Sequence, residues 1–215
     1  IKKFLDTLKH PLYFLDFETF NTAIPLYDGV RPYQQITFQF SLYVQDKPDG
    51  KLVHHSFLAE GKEDPRLMFL SSLQKVLGEK GSIIAYNQSF EIGRLKELAE
   101  AFTDYKKWIE SILPRFIDLM VPFRKFYYYN PVQQGSASIK KVLPAITGKG
   151  YDDMEISEGG TASLEFLRIT QGASDGTFPD NNEIKKVREN LEKYCALDTE
   201  GMVWIVNRLK ELIKD

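Results

Sequence analysis

Asp16 and Glu18 lie one position apart, directly after the apolar run 12–15, and point more clearly to chemistry than any other residues of this chain. A continuous apolar run of this kind is typical of a strand that is buried on both faces. Side chains alternate along a strand, so both carboxylates point the same way, roughly 6–7 Å apart. Buried carboxylates need a positive partner, and a divalent metal ion supplies one. The alternative is that the strand has already ended and that both acids lie in a hydrated loop.

A further candidate acid lies in the last segment of the chain. Between residues 184 and 209, apolar residues recur at steps of three and four, which predicts a helix with one buried face. Asp198 falls on that face, and Tyr194 lies one turn before it, where the phenol can reach whatever Asp198 binds. The alternative is that Asp198 or Thr199 caps a new helix after a break.

Glu91 is the fourth candidate acid. It lies in the first turn of a helix predicted over residues 89–101, which follows a short strand predicted over 82–86. Asn87 and Phe90 belong to the same junction, where we expect them to shape the local backbone. The alternative is that Ser89 caps the helix and that Glu91 favours the positive end of the helix dipole.

The remaining pattern predicts how these residues are positioned. Alternation over 36–44 predicts a half-buried strand, and turn residues at 47–50 lead to a third strand over 51–58, so the first half reads as three antiparallel strands. A helix follows Asp64-Pro65, and residues 115–119 form a further strand or helix start. Residues 138–143 predict a helix that Pro144 stops. The polar stretch of about 147–182 reads as an insertion or lid rather than core, with one helix over 162–169.

Taken together, the acidic motifs resemble a known signature. Asp-Phe-Glu on the first strand, Asn-x-x-Phe-Glu at a strand–helix junction and Tyr-x-x-x-Asp on the last helix are similar, in this order, to the motifs of the DEDD 3′–5′ exonucleases, whose DEDDy branch carries the tyrosine. These enzymes have the ribonuclease-H-like fold, and three antiparallel strands followed by alternating helices and strands match its order. We therefore expect a single ribonuclease-H-like α/β domain over residues 1–215, with helices flanking a mixed sheet.

Longer stretches resemble the bacterial domain-of-unknown-function family 2779. The similarity is carried by residues 13–20 (YFLDFETF), 31–35 (RPYQQ) and 135–144 (GSASIKKVLP). This resemblance adds little about function beyond the grouping of the family with ribonuclease-H-like nucleases.

The exonuclease resemblance implies a site and a reaction. Asp16, Glu18, Glu91 and Asp198 would bind two Mg²⁺ or Mn²⁺ ions, which suit oxygen ligands, for hydrolysis of phosphodiester bonds of DNA or RNA. Tyr194 would position the attacking water. Glu91 departs from the family pattern, which has Asp there, and its extra methylene matters because Mg²⁺ demands near-octahedral geometry. A supporting role is implied for Asp118, which could equally cap a helix.

Composition limits the other classes of function. A net charge of −2 and 43% hydrophobic residues describe an ordinary globular protein without an extended basic surface. Its one cysteine, Cys195, excludes an intramolecular disulfide and a Cys-rich zinc site, which fits a cytoplasmic location. We find neither a signal peptide nor a membrane-spanning run. Because the first residue is Ile, we expect a piece of a longer protein, whose other domains could be partners.

Charge is distributed unevenly along the chain. Residues 105–150 carry eight basic residues against two acids and include the aromatic run 126–129. Mixed cations and aromatics suit a single-stranded 3′ end of nucleic acid, for which we name the candidate contacts Arg124, Lys125, Tyr128, Lys140 and Lys141. Ordinary packing of the aromatic run is the alternative. For the whole protein the alternatives are an inactive module that binds nucleic acid or a partner within a larger nuclease, and a structural domain whose acids only cap elements.

Overall fold

The structure, a computed structural model, describes residues 1–151, 154–173 and 176–214. The strands of this part of the chain are β1 (Leu12–Phe20), β2 (Ile36–Gln45), β3 (Leu52–Leu58), β4 (Ser82–Ala85) and β5 (Phe116–Asp118). Its helices are α1 (Lys2–Leu5), α2 (Arg66–Val76), α3 (Ser89–Ala101), α4 (Lys106–Ile112), α5 (Val121–Arg124), α6 (Ile139–Thr147), α7 (Gly159–Gln171) and α8 (Asn181–Glu211).

The strands form one mixed sheet in the order β3-β2-β1-β4-β5. β1, β2 and β3 are antiparallel neighbours, whereas β4 runs parallel to β1 and β5 runs parallel to β4. The predicted α/β class, with three antiparallel strands followed by parallel ones, is confirmed. Because β1, β4 and β5 run the same way, the carboxyl ends of β4 and β5 lie at one edge of the sheet, beside the middle of the longer β1. Asp16 lies there in β1, Asn87 follows β4, and Asp118 ends β5.

Helices cover both faces of the sheet. Phe14 faces a core that includes residues of α6, α7 and α8, and its neighbour Leu15 faces a second core that includes residues of α2, α3 and α4. Both side chains are fully buried, with 1% and 0% exposure. The apolar run 12–15 therefore belongs to a strand buried on both faces, as its pattern predicts.

β2 differs from the predicted half-buried strand. Its polar residues face α8 instead of solvent: Gln39 Nε2 donates to the carbonyl of Leu191 at 2.9 Å, and the Ser41 and Thr199 hydroxyls are 2.6 Å apart. All residues from Ile36 to Leu42 are buried. The alternation predicts the strand correctly, but the polar face that it assigns to solvent contacts α8 instead.

The helix α8 is continuous through the position where a break was the alternative. It begins at the cap Asp180, whose Oδ1 accepts hydrogen bonds from the backbone N–H groups of Asn182 and Glu183, and it runs for 31 residues. Asp198 and Thr199 lie in its interior, so neither caps a helix. Although α8 is long, no helix of the described residues is apolar enough over a sufficient length to cross a membrane.

Pro144 does not stop α6, which corrects the predicted helix end. The helix continues to Thr147, whose Oγ1 donates to the Leu143 carbonyl at 2.7 Å, and it ends at Gly148 with φ of 74°. Leu143 and Ile146, on either side of the proline, are buried in the core that also includes residues of α8. Burial of this apolar face stabilises the last turn in spite of the missing proline N–H.

The prediction that the stretch 147–182 lies outside the core is wrong for its helix. α7 extends beyond the predicted 162–169, and Phe166 is 1% exposed, with its ring stacked on Phe38 at a centroid distance of 4.0 Å. Ala162 and Ile169 are buried on the same face. Residues 152, 153, 174 and 175 of the predicted insertion lie outside the described residues.

Replacement of Phe166 tests whether α7 is part of the core. We expect Phe166→Ala to lower the free energy of unfolding by about 3–5 kcal/mol, because it leaves a cavity beside Phe38. Leu164→Ala is the matched control, since Leu164 lies on the same helix but is 68% exposed, and it should change stability by less than about 0.5 kcal/mol. Urea denaturation measures both, and equal effects of the two variants would contradict this placement.

Candidate metal centre

A cavity of about 420 Å³ opens at the carboxyl edge of the sheet. Its wall includes the four predicted acids together with Tyr194, and it also includes the predicted junction residues Asn87 and Phe90. The predicted residues thus come from three separate parts of the chain to line one cavity, which we call the acid cavity. The wall also includes Tyr86, Lys140, Gly159 and Gly160.

β1 supplies Asp16 and Glu18. They pair across the sheet with Ser41 and Gln39, whose side chains contact α8, so the two acids lie on the α8 side of the strand. Glu18 is 7% exposed. Ligand atoms of Asp16, Glu18 and Cys195 lie within 4.8 Å of one another, and the Cys195 thiol donates to Asp16 Oδ2 at 3.8 Å.

α8 supplies Tyr194 and Cys195 from one turn and Asp198 from the next. Asp198 is 7% exposed and accepts a hydrogen bond from the hydroxyl of Tyr151, a residue of the loop between α6 and α7. The rings of Tyr151 and Tyr194 lie 6.4 Å apart. Asp198 is therefore flanked by two phenols, of which the sequence motif indicated only Tyr194.

The junction between β4 and α3 supplies Glu91. Asn87 has a φ of 67°, a left-handed conformation that asparagine tolerates better than most residues, and α3 begins two residues later. Glu91 is 2% exposed, and its Oε2 has no hydrogen-bond partner among the described residues. Ser89 does not cap the helix, since its hydroxyl donates to the side chain of Asn87. A buried carboxylate oxygen without a hydrogen-bond partner is costly, and coordination of a cation would offset that cost.

Asp118 lies outside the lining of the acid cavity and holds this junction from β5. Its Oδ1 accepts hydrogen bonds from the backbone N–H groups of Asn87 at 3.0 Å and Met120 at 2.9 Å. Its Oδ2 accepts from Arg124 at 3.3 Å. These contacts fix the backbone turn that carries Glu91 to the cavity.

The acid cavity strongly disfavours four ionised carboxylates. Burial, and then the charge of Asp198, raise the pKa of Asp16 well above its usual range and that of Glu18 to about 8. Burial likewise raises the pKa of Glu91 to about 8 and that of Asp198 to about 6, the latter in spite of the Tyr151 hydrogen bond. Burial also raises the pKa of the Cys195 thiol, which makes it a neutral donor to Asp16 and a poor metal ligand.

The predicted nucleic-acid contacts differ in their surroundings. Lys140 lines the acid cavity, whereas Lys141 is exposed on α6 and Arg124 pairs with Asp118. Lys125 is exposed. Tyr128 packs edge-on against Phe123 at 5.9 Å, while the other members of its aromatic run are exposed, with values of 68% for Phe126, 48% for Tyr127 and 46% for Tyr129.

Sequence reasoning missed Tyr151, Cys195 and the glycines of α7 as parts of the site. Tyr151 lies in a polar stretch without periodicity, and only the folded chain shows that it reaches Asp198. Cys195 carried a usable signal, because it precedes Asp198 by three residues and so lies on the same helix face. Gly159 lies at the start of α7, where a side chain would approach Glu18 Oε2 to 3.5 Å.

These raised pKa values predict that the metal-free protein loses stability as pH rises. The folded state binds more protons than the unfolded state between the ordinary carboxyl pKa and the raised ones, so the stabilisation is complete below about pH 4 and disappears through pH 6 to 8. Urea denaturation in EDTA should show a falling free energy of unfolding from pH 5 to 8. Glu91→Gln should flatten this decline, whereas Glu100→Gln, at an exposed position of α3, should not. A flat or rising profile in the wild type would contradict the electrostatics.

Comparison with other sequences gives the family of the chain. Residues 13–138 match the family model described as "Domain of unknown function (DUF2779)". An "Uncharacterized protein UU173" of Ureaplasma parvum is 34% identical over 97% of this chain and 32% of its own length, and an "Uncharacterized protein MG366 homolog" of Mycoplasma pneumoniae is 29% identical over 96% and 33%. The chain thus spans about a third of these relatives. Because the matched residues cover more than half of the sequence and include three of the four acids of the cavity, the chain belongs to the DUF2779 family.

Proposed function

We propose that this domain is a metal-dependent 3′–5′ exonuclease that hydrolyses phosphodiester bonds of DNA or RNA at an end of the strand. One observation carries the proposal: four carboxylates from β1, α3 and α8 line one cavity, and an oxygen of Glu91 there lacks a partner among the described residues. The order of strands supports the ribonuclease-H-like fold that the motifs imply. The direction of digestion and the exonuclease mode rest on the motif resemblance alone.

The donor set fits hard divalent cations. Asp16, Glu18, Glu91 and Asp198 offer only carboxylate oxygens, which Mg²⁺ and Mn²⁺ prefer, and the raised pKa values show how unfavourable their charges are without cations. Two bound cations would activate a water molecule for in-line attack and stabilise the leaving oxygen. The longer Glu91 side chain remains within this set because it reaches the cavity from the first turn of α3.

The tyrosines orient groups and do not act as bases. Burial, and then the charge of Asp198, raise the pKa of Tyr194 further above its usual value, so the phenol stays neutral at physiological pH. A neutral phenol beside Asp198 can donate a hydrogen bond to that carboxylate or hold an attacking water. Tyr151 holds Asp198 from the other side through its hydrogen bond.

The direct test is digestion of a 5′-labelled single strand of DNA or RNA in Mn²⁺. The wild-type protein should shorten the strand stepwise from its 3′ end and release nucleoside 5′-monophosphates. Asp16→Asn and Asp198→Asn should lower the rate by more than about 100-fold, the upper limit typical for residues that only support metal ligands. Asp104→Asn, at an exposed position, should digest as the wild type does. Pure protein that digests neither DNA nor RNA with Mn²⁺ or Mg²⁺ would contradict the proposal. The remaining interpretation would then be a non-catalytic module that binds nucleic acid or a partner.

Metal binding can be tested separately from catalysis by thermal unfolding. Mn²⁺ at 100 times its Kd should stabilise the folded protein by about 2.7 kcal/mol through mass action, which raises Tm by roughly 5–10 °C in a domain of this size. The rise should be larger at pH 8 than at pH 6, because protons compete with metal for the carboxylates. Asp198→Asn should lose most of it and Asp104→Asn should keep it. A Tm that millimolar Mn²⁺ and Mg²⁺ leave unchanged would contradict a metal centre.

A further inference from the structure

Lys140 is the one cation among the described lining residues of the acid cavity. Its ammonium donates a hydrogen bond to the carbonyl of Ser157 and lies 5.5 Å from the ring centroid of Tyr194 and 5.8 Å from that of Tyr151. An aromatic face attracts a cation at such distances. The carbonyl and the two rings therefore hold the ammonium at the wall of the cavity.

The packing of α6 on α8 explains why Lys140 is there. A side chain at Gly201 of α8 would meet Leu143 Cδ2 at 2.9 Å, so the glycine lets α6 approach closely. Val142 and Leu143 are buried in this contact, at 0% exposure. Lys140, one turn before Leu143, is thereby directed to the cavity, while Lys141 is exposed.

Lys140 lies near the acids without forming an ion pair with them. Its charge lowers the pKa of Glu18 and of Asp198 against the larger effect of burial, so the ammonium acts on both carboxylates. Among the described residues, no carboxylate oxygen lies within ion-pairing distance of Lys140 Nζ. Within the same part of the chain, the only hydrogen bond of this ammonium goes to the carbonyl of Ser157. An ammonium has three N–H donors, so two remain for a ligand in the cavity.

The charge that the cavity would carry with two divalent cations bound indicates the class of ligand that Lys140 would bind. Four ionised carboxylates would contribute −4 and two bound divalent cations +4, so the metal centre by itself would be neutral. Lys140 adds +1, which matches the single negative charge of a phosphodiester group. The lysine thus supplies the attraction for an anion that the neutralised metal centre lacks.

We propose that Lys140 binds a non-bridging oxygen of the substrate phosphate in the acid cavity, and hence also the phosphate of a nucleoside 5′-monophosphate product. This role rests on the proposed function. The same role is not proposed for Lys141, the neighbouring residue on α6, because Lys141 does not line the acid cavity. The proposal also predicts opposite behaviour of the two affinities. Removal of a positive charge beside the acids weakens phosphate binding but does not weaken the binding of cations.

Lys140→Met, which keeps most of the length of the side chain and removes its charge, tests the proposal against Lys141→Met. Calorimetric titration measures the Kd for Mn²⁺ alone and then the Kd for adenosine 5′-monophosphate in saturating Mn²⁺. Lys140→Met should raise the nucleotide Kd at least tenfold and leave the Mn²⁺ Kd unchanged or lower. Lys141→Met should change both by less than twofold, and Lys140→Arg, which keeps the charge, should retain most of the nucleotide affinity.

A merely structural role of Lys140 predicts a different pattern, in which Lys140→Met weakens Mn²⁺ and nucleotide binding together, and that result would overturn the proposal. A nucleotide Kd within twofold of the wild type, or an equal loss in Lys141→Met, would overturn it as well. If the wild-type protein binds no Mn²⁺, the proposed function fails and the role of Lys140 fails with it. Normal Mn²⁺ binding with an unchanged nucleotide Kd in Lys140→Met overturns the role of Lys140 alone.

Discussion

The burial of four neighbouring carboxylates, three of them buried and Asp16 half-buried, is the constraint on which the organisation of this domain depends. An isolated ionised carboxylate in an apolar interior is costly, and neighbouring negative charges increase that cost. In the metal-free protein the acids respond by holding protons, as the raised pKa values of Glu18 and Glu91 show. A fold that keeps such a cluster gives up stability there, and proteins retain strained or unpaired groups mainly where function requires them.

The rest of the fold keeps these acids in place despite their repulsion. The parallel pairing of β1 with β4 brings Asp16 beside the carboxyl end of β4, and Asp118 fixes the turn between β4 and α3. Bonds from Gln39 and Ser41 tether α8 to the sheet on both sides of the turn that carries Cys195. Asp198 is then held by the phenol of Tyr151. Most of these contacts join residues that are far apart in sequence, so the cavity forms only when the whole domain has folded.

That separation explains what could be predicted from the sequence. Asp16, Glu18 and Asp198 were found because each interrupts a regular apolar pattern, and such interruptions are visible locally. The same local patterns predicted the strands and the long helix α8. The hydrogen bonds of Gln39 and Ser41 to α8 were not predicted, since a buried polar residue on a strand has the same pattern as an exposed one until its partner helix is placed.

The segment before α8 shows a second limit. Its polar and Gly-rich composition indicated a surface insertion, yet Ala162, Phe166 and Ile169 are spaced as the buried face of a helix, and this local signal was outweighed by composition. The same region provides Tyr151 and the Ser157 carbonyl, whose contacts with Asp198 and Lys140 depend on the packing of α6 and α7 around α8. No pattern within a single element predicts contacts of this kind.

The most direct measurement of the central claim is anomalous X-ray diffraction from crystals of the protein grown with Mn²⁺. If the acid cavity is a metal centre, two anomalous peaks should appear there, about 3.5–4 Å apart, in contact with oxygens of Asp16 and Asp198, and a carboxylate oxygen of Glu91 should reach one of them. No anomalous density in the cavity at saturating Mn²⁺, with the four carboxylates still facing one another, would contradict the claim.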